Sequence, residues 1–293
     1  MKRILVVGAS GMLGHRLVRG LSADFNVTGT VRGDAADWAA LPHFANATVL
    51  GSVDALDFST VANAVETARP ELVINAVGAI KQVADGKSAV PAIRLNALFP
   101  HQLAEAAGRA GARLITFSTD CVFSGKKGPY QETDTPDATD VYGRSKLLGE
   151  VTAPGCLTLR SSIIGRELRG RHSLVDWFIS QNGGRVKGFR GALYSGMTTG
   201  AASNLVTAIL RTKPELEGLW QVAAQPINKY ELLKLVRDAM GLTIDIAPDD
   251  DFHCDRRLDG SRFAQETGLA LPSWPQMIAD LAAEAPFYSA SAR

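Results

Sequence analysis

The sequence lacks three features that would place it in a special class: an excess of one charge, a set of paired cysteines and a long apolar segment. Its 293 residues hold 31 Lys and Arg against 30 Asp and Glu, so its net charge of +1 favours no nucleic-acid or acidic-membrane partner. Cys121, Cys156 and Cys254 are odd in number and far apart, which suits neither a disulfide framework nor a metal site. No stretch approaches the roughly 20 apolar residues that a membrane span needs. We therefore expect a cytoplasmic monomer or homodimer with reduced thiols.

Short β-branched runs alternate with helical periodicities through the first half of the chain. Ile4–Val7 is fully apolar, as in a buried parallel strand. Further strands are predicted at Val27–Val31, Thr48–Leu50, Leu72–Ala76, Arg113–Ser118 and Leu157–Arg160, with helices at Val61–Ala68, Pro91–Ala110 and Tyr142–Val151 between them. This alternation predicts an α/β fold with a Rossmann-type, doubly wound parallel sheet, whose ligands bind at the carboxyl ends of the strands.

The pattern changes after about residue 162. Ile163–Leu193 reads as loop-rich, and helices are predicted at Ala201–Arg211, Lys229–Met240 and Ser273–Ala285. Leu219–Val222 is a short apolar run that could extend the sheet. We therefore predict a sheet domain over residues 1–162 and a smaller, interleaved lobe over residues 163–293, with about 201–224 returning to the sheet domain.

A glycine-rich turn follows the first strand. Gly8, Gly11 and Gly14 are spaced Gly-x-x-Gly-x-x-Gly and precede a helical periodicity. Residues without Cβ let the backbone approach a pyrophosphate, and the helix amino terminus offers free N–H groups. The predicted contacts are Gly8, Ser10, Gly11, Met12, Leu13 and Gly14. The context favours dinucleotide binding over a merely tight structural turn.

The end of the second strand selects between the two nicotinamide cofactors. An acidic residue at this point would bind the ribose hydroxyls of NAD, but the sequence has Arg32. A guanidinium suits a 2′-phosphate, so we predict NADP(H), with NAD(H) possible as the alternative cofactor. The competing interpretation is an ordinary surface arginine.

Tyr142 and Lys146 stand four residues apart at the start of a predicted helix and therefore share one face. A nearby ammonium lowers the pKa of a phenol, so this pair predicts a general acid tuned toward neutral pH. Thr119, just after the fifth strand, can hydrogen-bond a substrate carbonyl. Asn96 lies inside a long helix, where asparagine is unfavourable, and is predicted to be a buried polar group bonded to backbone.

Together these motifs resemble the extended short-chain dehydrogenase/reductases, and most closely the dTDP-4-dehydrorhamnose reductase family. The resemblance rests on GASGMLG, VINAVG, RLNALFPHQLAEAA, FSTDCVFSG, VYGRSKLLGE, LRSS, GLWQVAAQPINKYELLKLV and LPSWPQMI, which run along nearly the whole chain. It implies that Thr119, Tyr142 and Lys146 are catalytic and that Asn96 holds the lysine through water. It also implies cofactor contacts from Val53, Ala76, Val77, Gly78, Ser118, Tyr142, Lys146, Arg160, Ser161 and Ser162.

The residues beside this constellation bear on the reaction. The similar sugar-nucleotide 4,6-dehydratases have Thr-Asp-Glu where this chain has Thr119-Asp120-Cys121, and Cys121 cannot replace the carboxylate. Epimerases retain NAD, whereas Arg32 favours an exchangeable NADP(H). The resemblance then implies reduction of a 4-keto, 6-deoxy sugar nucleotide for surface polysaccharide precursors. A sugar-nucleotide epimerase and a non-catalytic, NADP-binding regulatory subunit of methionine adenosyltransferase remain alternatives.

Several segments depart from the rhamnose enzymes, including Tyr194–Thr199 and Cys254–Asp259. We therefore expect either dTDP-4-dehydrorhamnose or a related 4-keto sugar, UDP-linked and N-acetylated. The basic residues of the lobe are candidate diphosphate ligands, with solvated loop charges as the alternative. The predicted substrate contacts are Asp120, Val122, Phe123, Lys187, Thr198, Arg256 and Arg257; Arg190 is a further diphosphate candidate.

Overall fold

A parallel sheet of seven strands organises the chain, which we describe from a computed structural model at residues 1–79 and 89–289. The strands are β1 (Arg3–Val7), β2 (Asn26–Thr30), β3 (Thr48–Leu50), β4 (Leu72–Asn75), β5 (Arg113–Ser118), β6 (Cys156–Arg160), β7 (Ile163–Ile164), β8 (Arg185–Tyr194), β9 (Met197–Thr198), β10 (Gly218–Gln221), β11 (Ile227–Asn228) and β12 (Asp245–Asp255). The large sheet has the order β10-β6-β5-β4-β1-β2-β3, and every neighbouring pair in it is parallel.

Helices cover both faces of this sheet. They are α1 (Gly14–Leu21), α2 (Ala36–Ala39), α3 (Phe58–Ala68), α4 (Val90–Ala92), α5 (Phe99–Arg109), α6 (Val141–Leu148), α7 (Leu174–Ser180), α8 (Thr199–Thr212), α9 (Lys229–Ala239), α10 (Ser261–Thr267), α11 (Trp274–Ala283) and α12 (Ala285–Ser289). Leu17 of α1 and Leu205 of α8 join the core on one face, while Val61 of α3 and Leu103 of α5 join the core on the other. The predicted doubly wound α/β fold is confirmed.

The helix predicted over Pro91–Ala110 is interrupted. Between α4 and α5 the backbone forms a π-helical segment, Ile93–Leu98, whose wider turn carries Asn96 into the interior. Polar Asn96 would weaken a regular helix, but here it bonds to neighbouring backbone. The π-helical segment therefore places the side-chain amide of Asn96 in the interior.

The loop-rich prediction for Ile163–Leu193 is wrong, because this range contains β7, α7 and most of β8. Strand β8 lies between β11 and β12 in a separate three-stranded sheet. Its glycines and basic residues dilute the apolar alternation, and the acidic strand β12 has no apolar pattern at all. Cross-strand ion pairs join the two strands instead: Arg185–Asp245, Lys187–Asp249 and Arg190–Asp250. The two strands therefore lack the apolar alternation that predicts a strand from sequence, and opposite charges face each other across them instead.

Two later strands pair with strands from earlier in the chain. Strand β10, four residues long, pairs in parallel with β6 at the edge of the large sheet, and β9 pairs with β7. In the described part of the chain, no helix is long and apolar enough to cross a membrane.

Candidate active site

Two cavities open beside the carboxyl ends of the central strands. The smaller, of about 190 Å³, is lined by the glycine turn and by the residues that follow β2, β3 and β4. The larger, of about 760 Å³, is lined by residues that follow β5 and β6 and by the second sheet with α7 and α9. This arrangement can hold an extended dinucleotide against one wall and a second ligand against the other.

The glycine turn is shaped by close backbone contacts. Gly8 has φ +88°, a conformation that glycine adopts without strain. A Cβ on Gly14 would lie 2.1 Å from the carbonyl oxygen of Gly8, and a Cβ on Gly8 would lie 2.8 Å from Val77 Cγ2. Helix α1 begins at Gly14, so its free N–H groups face the turn. The turn fits a pyrophosphate that must approach the backbone closely.

His15 connects this turn to the last helix described through two hydrogen bonds. Its Nδ1 lies 2.8 Å from the Gly11 carbonyl oxygen, and its Nε2 lies 2.9 Å from the hydroxyl of Tyr288 in α12. Burial lowers the pKa of His15 to about 3, so the ring is neutral at pH 7. The last helix described is thereby joined to the cofactor turn through one imidazole.

Eight of the predicted cofactor residues line the small cavity: Gly8, Ser10, Gly11, Arg32, Val53, Ala76, Val77 and Gly78. Met12, Leu13 and Gly14 lie at the start of α1. Arg32 is exposed on the wall, where a 2′-phosphate could reach it. Sequence reasoning missed Thr30, whose hydroxyl accepts from the Gly8 N–H at 3.2 Å, and Asp54 on the same wall. Their positions could have indicated them, since Thr30 ends β2 and Asp54 lies in the segment after β3.

Thr119 and Tyr142 lie together beside the large cavity, whose wall includes Asp120 and Cys121. Thr119 follows β5 and caps a 3-10 turn, accepting from the Cys121 N–H. Tyr142 stands in the first turn of α6, whose cap Asp140 accepts from the Gly143 N–H at 2.7 Å. The Thr119 side chain lies beside the phenol and lowers its pKa, against the rise caused by burial, and its hydroxyl donates to Asp120 Oδ1 at 3.1 Å. The structure therefore brings together the two groups that were predicted to bind a carbonyl oxygen.

The predicted effect of Lys146 on Tyr142 is not seen. Burial raises the pKa of Tyr142, and the nearby acidic groups Cys121 and Asp120 add to the rise. Lys146 donates instead to the Phe117 carbonyl oxygen at 2.6 Å, and burial lowers the pKa of its ammonium to about 8. The phenol is therefore held protonated, as a proton donor must be.

Asn96 connects the chain before α4 with α6. Its Oδ1 accepts from the Ala79 N–H at 2.8 Å, and its Nδ2 donates to the Ala79 carbonyl at 3.1 Å and to the Ser145 hydroxyl at 3.2 Å. The amide is thus bonded to backbone, as predicted, and it also fixes Ser145 beside Lys146. Its water link to Lys146 stays a prediction.

Asp120 and Arg256 share the wall of the large cavity with Ser162. Burial raises the pKa of Asp120, and the Arg256 guanidinium opposes this rise. Arg256 donates to the Phe123 carbonyl oxygen at 2.9 Å, which orients its planar group. Of the predicted substrate residues, Asp120 and Arg256 therefore lie where a ligand could touch them.

Other predicted residues have protein partners elsewhere. Lys187 pairs with Asp249, and Arg257 pairs with Asp255 and lines a different cavity. Thr198 is buried as the cap of α8, and the side chains of Val122 and Phe123 are fully buried. Ser118 and Arg160 both bond Glu150, and Ser161 is buried. The prediction that these side chains contact the substrate is therefore not supported, because ion pairs and core packing already occupy them. The residues concerned are Lys187, Arg257, Thr198, Val122 and Phe123.

The sequence suggests Trp177 and Phe178 as residues that line the lobe, with core packing as the favoured alternative, but sequence reasoning missed the rest of the far wall of the large cavity. Trp177 of α7, Phe189 of β8 and Phe252 of β12 converge there with Lys229, which begins α9. Tyr194, the last residue of β8, also lines it. These side chains come from elements that only the tertiary fold brings together, so no local spacing could reveal them. Among the described residues, no group of three metal-ligating side chains is arranged to hold a metal ion.

Comparison with known proteins adds relatives in two groups. The dTDP-4-dehydrorhamnose reductase of Burkholderia thailandensis is 35% identical over 165 residues, 55% of this chain and 49% of that protein. The chain therefore spans about half the length of this relative. The methionine adenosyltransferase 2 subunit beta of Danio rerio is 26% identical over 262 residues, 82% of this chain and 75% of that protein.

Solved structures share the fold over nearly the whole chain. The dTDP-4-dehydrorhamnose reductase of Bacillus anthracis, solved with NADP, matches with a TM-score of 0.79 and 21% identity over 97% of this chain and 99% of that chain. WbmG of Bordetella bronchiseptica, solved with NAD and UDP, matches at 0.77 and 20% identity over 98% and 94%. The model of the RmlD substrate binding domain matches residues 1–164. The chain therefore belongs to the RmlD substrate binding domain family.

Proposed function

We propose that the protein is an NADPH-dependent reductase of the 4-keto group of a nucleotide-linked 6-deoxy sugar. The observation that carries this proposal is the proximity of the Thr119 and Tyr142 side chains, next to Asp120 and Cys121 in the wall of the 760 Å³ cavity. In the proposed complex a carbonyl in the larger cavity would bond both hydroxyls, and a nicotinamide extending from the smaller cavity would lie against its carbon. The similarity to the dTDP-4-dehydrorhamnose reductases of Burkholderia thailandensis and Salmonella typhimurium supports the choice of reaction.

The cofactor assignment rests on the shape and charge of the small cavity. Gly8 and Gly14 let the turn pack closely against its own backbone, which brings the start of α1 next to the cavity wall at Gly8 and Gly11. Arg32 on its wall supports NADP(H) over NAD(H), since a guanidinium binds a phosphate through two N–H groups. Residues 1–162 would then be the cofactor domain, with residues 163–293 supplying most of the substrate lobe.

The chain's own groups supply proton transfer and orientation. NADPH, when bound, would supply the hydride for the ketone carbon. Tyr142 delivers its proton to the carbonyl oxygen, while the Thr119 hydroxyl hydrogen-bonds that oxygen as charge develops on it. Lys146, anchored to the Phe117 carbonyl oxygen, would bind the ribose of the cofactor. Asp120 and Arg256 hold the sugar and its attached groups from the opposite wall.

Two substrates fit this chemistry: dTDP-4-dehydrorhamnose and a UDP-linked, N-acetylated 4-keto sugar. The second is retained because Tyr194–Thr199 and Cys254–Asp259 depart from the rhamnose enzymes, and both ranges contribute residues to the large cavity. The product would serve surface polysaccharide synthesis.

The test is turnover of both keto sugars with NADPH and with NADH, followed by loss of absorbance at the nicotinamide band. We expect NADPH to be oxidised faster than NADH. Tyr142→Phe removes the proton donor and should lower kcat by roughly 10²- to 10⁴-fold while leaving NADPH affinity unchanged. Full turnover in Tyr142→Phe would exclude the proposed mechanism.

A second candidate is a non-catalytic subunit that binds NADP. The Danio rerio methionine adenosyltransferase 2 subunit beta, which aligns over 82% of this chain, favours it. The adjacent Thr119 and Tyr142 side chains and the half-buried Lys146 favour catalysis instead. NADPH that binds tightly yet is never oxidised by any keto sugar nucleotide would select the second candidate. An epimerase would instead interconvert sugars without net NADPH loss.

A further inference from the structure

Lys229 occupies an unusual position in the wall of the large cavity. It is the first residue of α9, after the cap Asn228, and its Nζ lies 5.9 Å from the ring centre of Trp177 and 5.8 Å from that of Phe189. The two rings come from α7 and β8. Three elements therefore converge to hold one ammonium against two aromatic faces.

No carboxylate of the described residues pairs with this ammonium, and burial lowers the pKa of Lys229 without any opposing acidic group. Lys187 on β8 differs, since it is exposed and lies 2.9 Å from Asp249. A half-buried cation that lacks a counter-ion is costly in the ligand-free protein. An anion entering the cavity would reduce that cost.

The rest of the cavity shows which anion fits. Arg171 and Arg256 also line it, while Asp120 is the carboxyl group among its lining residues and burial raises that group's pKa. Trp177 and Phe252 are 37% and 47% exposed, so flat apolar faces accompany the positive charges. A ligand with both an anionic linkage and a planar ring matches this combination, and a nucleoside diphosphate has both.

We propose that Lys229, held between Trp177 and Phe189, binds the diphosphate of the sugar nucleotide and so selects nucleotide-linked over free sugars. This inference rests on the proposed function for the identity of the substrate. It replaces Lys187, Arg190 and Arg257 as diphosphate ligands, because their side chains pair with Asp249, Asp250 and Asp255.

The experiment is calorimetric titration of the full chain, without a keto sugar, using dTDP, UDP and the nucleoside thymidine as probes. Lys229→Gln keeps most of the side-chain length and removes the charge. We expect it to weaken dTDP and UDP binding by about ten- to a hundredfold, which is the usual contribution of a charge-assisted hydrogen bond. Thymidine binding should change little. Lys187→Gln, the matched control on the neighbouring strand, should leave all three affinities unchanged.

The outcomes separate this inference from the proposed reaction. Equal dTDP affinity in wild type and Lys229→Gln overturns the inference, as does an equal loss for dTDP and thymidine, which would indicate a general distortion of the cavity. Wild type that binds no nucleoside diphosphate overturns both ideas. Wild type that binds dTDP through Lys229 yet reduces no keto sugar supports the inference and refutes the proposed reaction.

Discussion

The two cavities of this protein are built in different ways. The small one is walled by the glycine turn and by residues placed directly at strand ends, so short stretches of backbone define it. The large one is walled by side chains from α7, β8, α9 and β12, which are distant in sequence. A site formed by short stretches of backbone can be predicted from the spacing of residues in the sequence. A site formed by side chains distant in sequence becomes visible only in the tertiary structure. Perturbations should therefore act differently on the two.

The largest effect is expected in the glycine turn. Gly14→Ala places a Cβ 2.1 Å from the Gly8 carbonyl oxygen, and a backbone atom cannot move aside cheaply. We expect the turn to shift and NADPH affinity to fall by at least roughly a hundredfold, measured by fluorescence titration, since close backbone contacts to pyrophosphate are lost.

Gly108→Ala is the control for that substitution. Gly108 lies within α5, and nothing stands within 4 Å of the Cβ it would gain. Alanine should stabilise the helix by roughly 0.5–1 kcal/mol and leave NADPH binding intact. If both variants bound NADPH alike, the backbone-built description of the small cavity would be incorrect.

The same contrast explains what the sequence could predict. Gly8, Gly11 and Gly14 sit in one seven-residue window, and Tyr142 and Lys146 sit one helical turn apart, so strand–turn–helix order was enough to place them. Trp177, Phe189 and Lys229 have no such relation. Lys229 meets Phe189 because α9 packs against β8, and this tertiary contact has no signature in local spacing.

The predicted effect of Lys146 on the pKa of Tyr142 was wrong because that pKa also depends on the tertiary structure. Helical spacing places Tyr142 and Lys146 on one face but cannot reveal that Lys146 donates to the Phe117 carbonyl. Nor can it reveal that burial and Cys121 raise the pKa of Tyr142. A pKa depends on every charge and on the depth of burial around a group, so it follows only from three-dimensional packing.

An intermediate effect is expected where the cofactor turn meets α12. His15 and His43 are buried, and burial lowers their pKa values to about 3 and about 4. Because both values lie below the ordinary 6.5, the folded state resists protonation. The stabilising contribution is complete above about pH 6.5 and is lost as pH falls toward 4, by about 1.4 kcal/mol per pH unit for each histidine.

His43→Phe tests this, since neither ring nitrogen of His43 has a hydrogen-bond partner among the described residues. We expect urea unfolding at pH 7 to show little loss, and the decline in unfolding free energy between pH 6.5 and 4 to be shallower by about 1.4 kcal/mol per pH unit. His253→Gln, at an exposed histidine, should retain the wild-type slope. A wild-type slope in His43→Phe would contradict the prediction.

The smallest effect separates two tyrosines and tests whether the large cavity is arranged for a ligand at the expense of stability. The Tyr130 hydroxyl accepts from the Gly125 and Lys127 N–H groups, each at 3.1 Å. The buried Tyr194 hydroxyl has no hydrogen-bond partner among the described residues.

Tyr130→Phe should therefore lower the free energy of unfolding by about 1–3 kcal/mol, because it leaves donors unpaired. Tyr194→Phe should leave it unchanged or raise it by up to about 1 kcal/mol, because an unpaired polar group is removed from the interior. Urea unfolding of both variants measures the difference, and equal destabilisation would show that Tyr194 already has a structural partner.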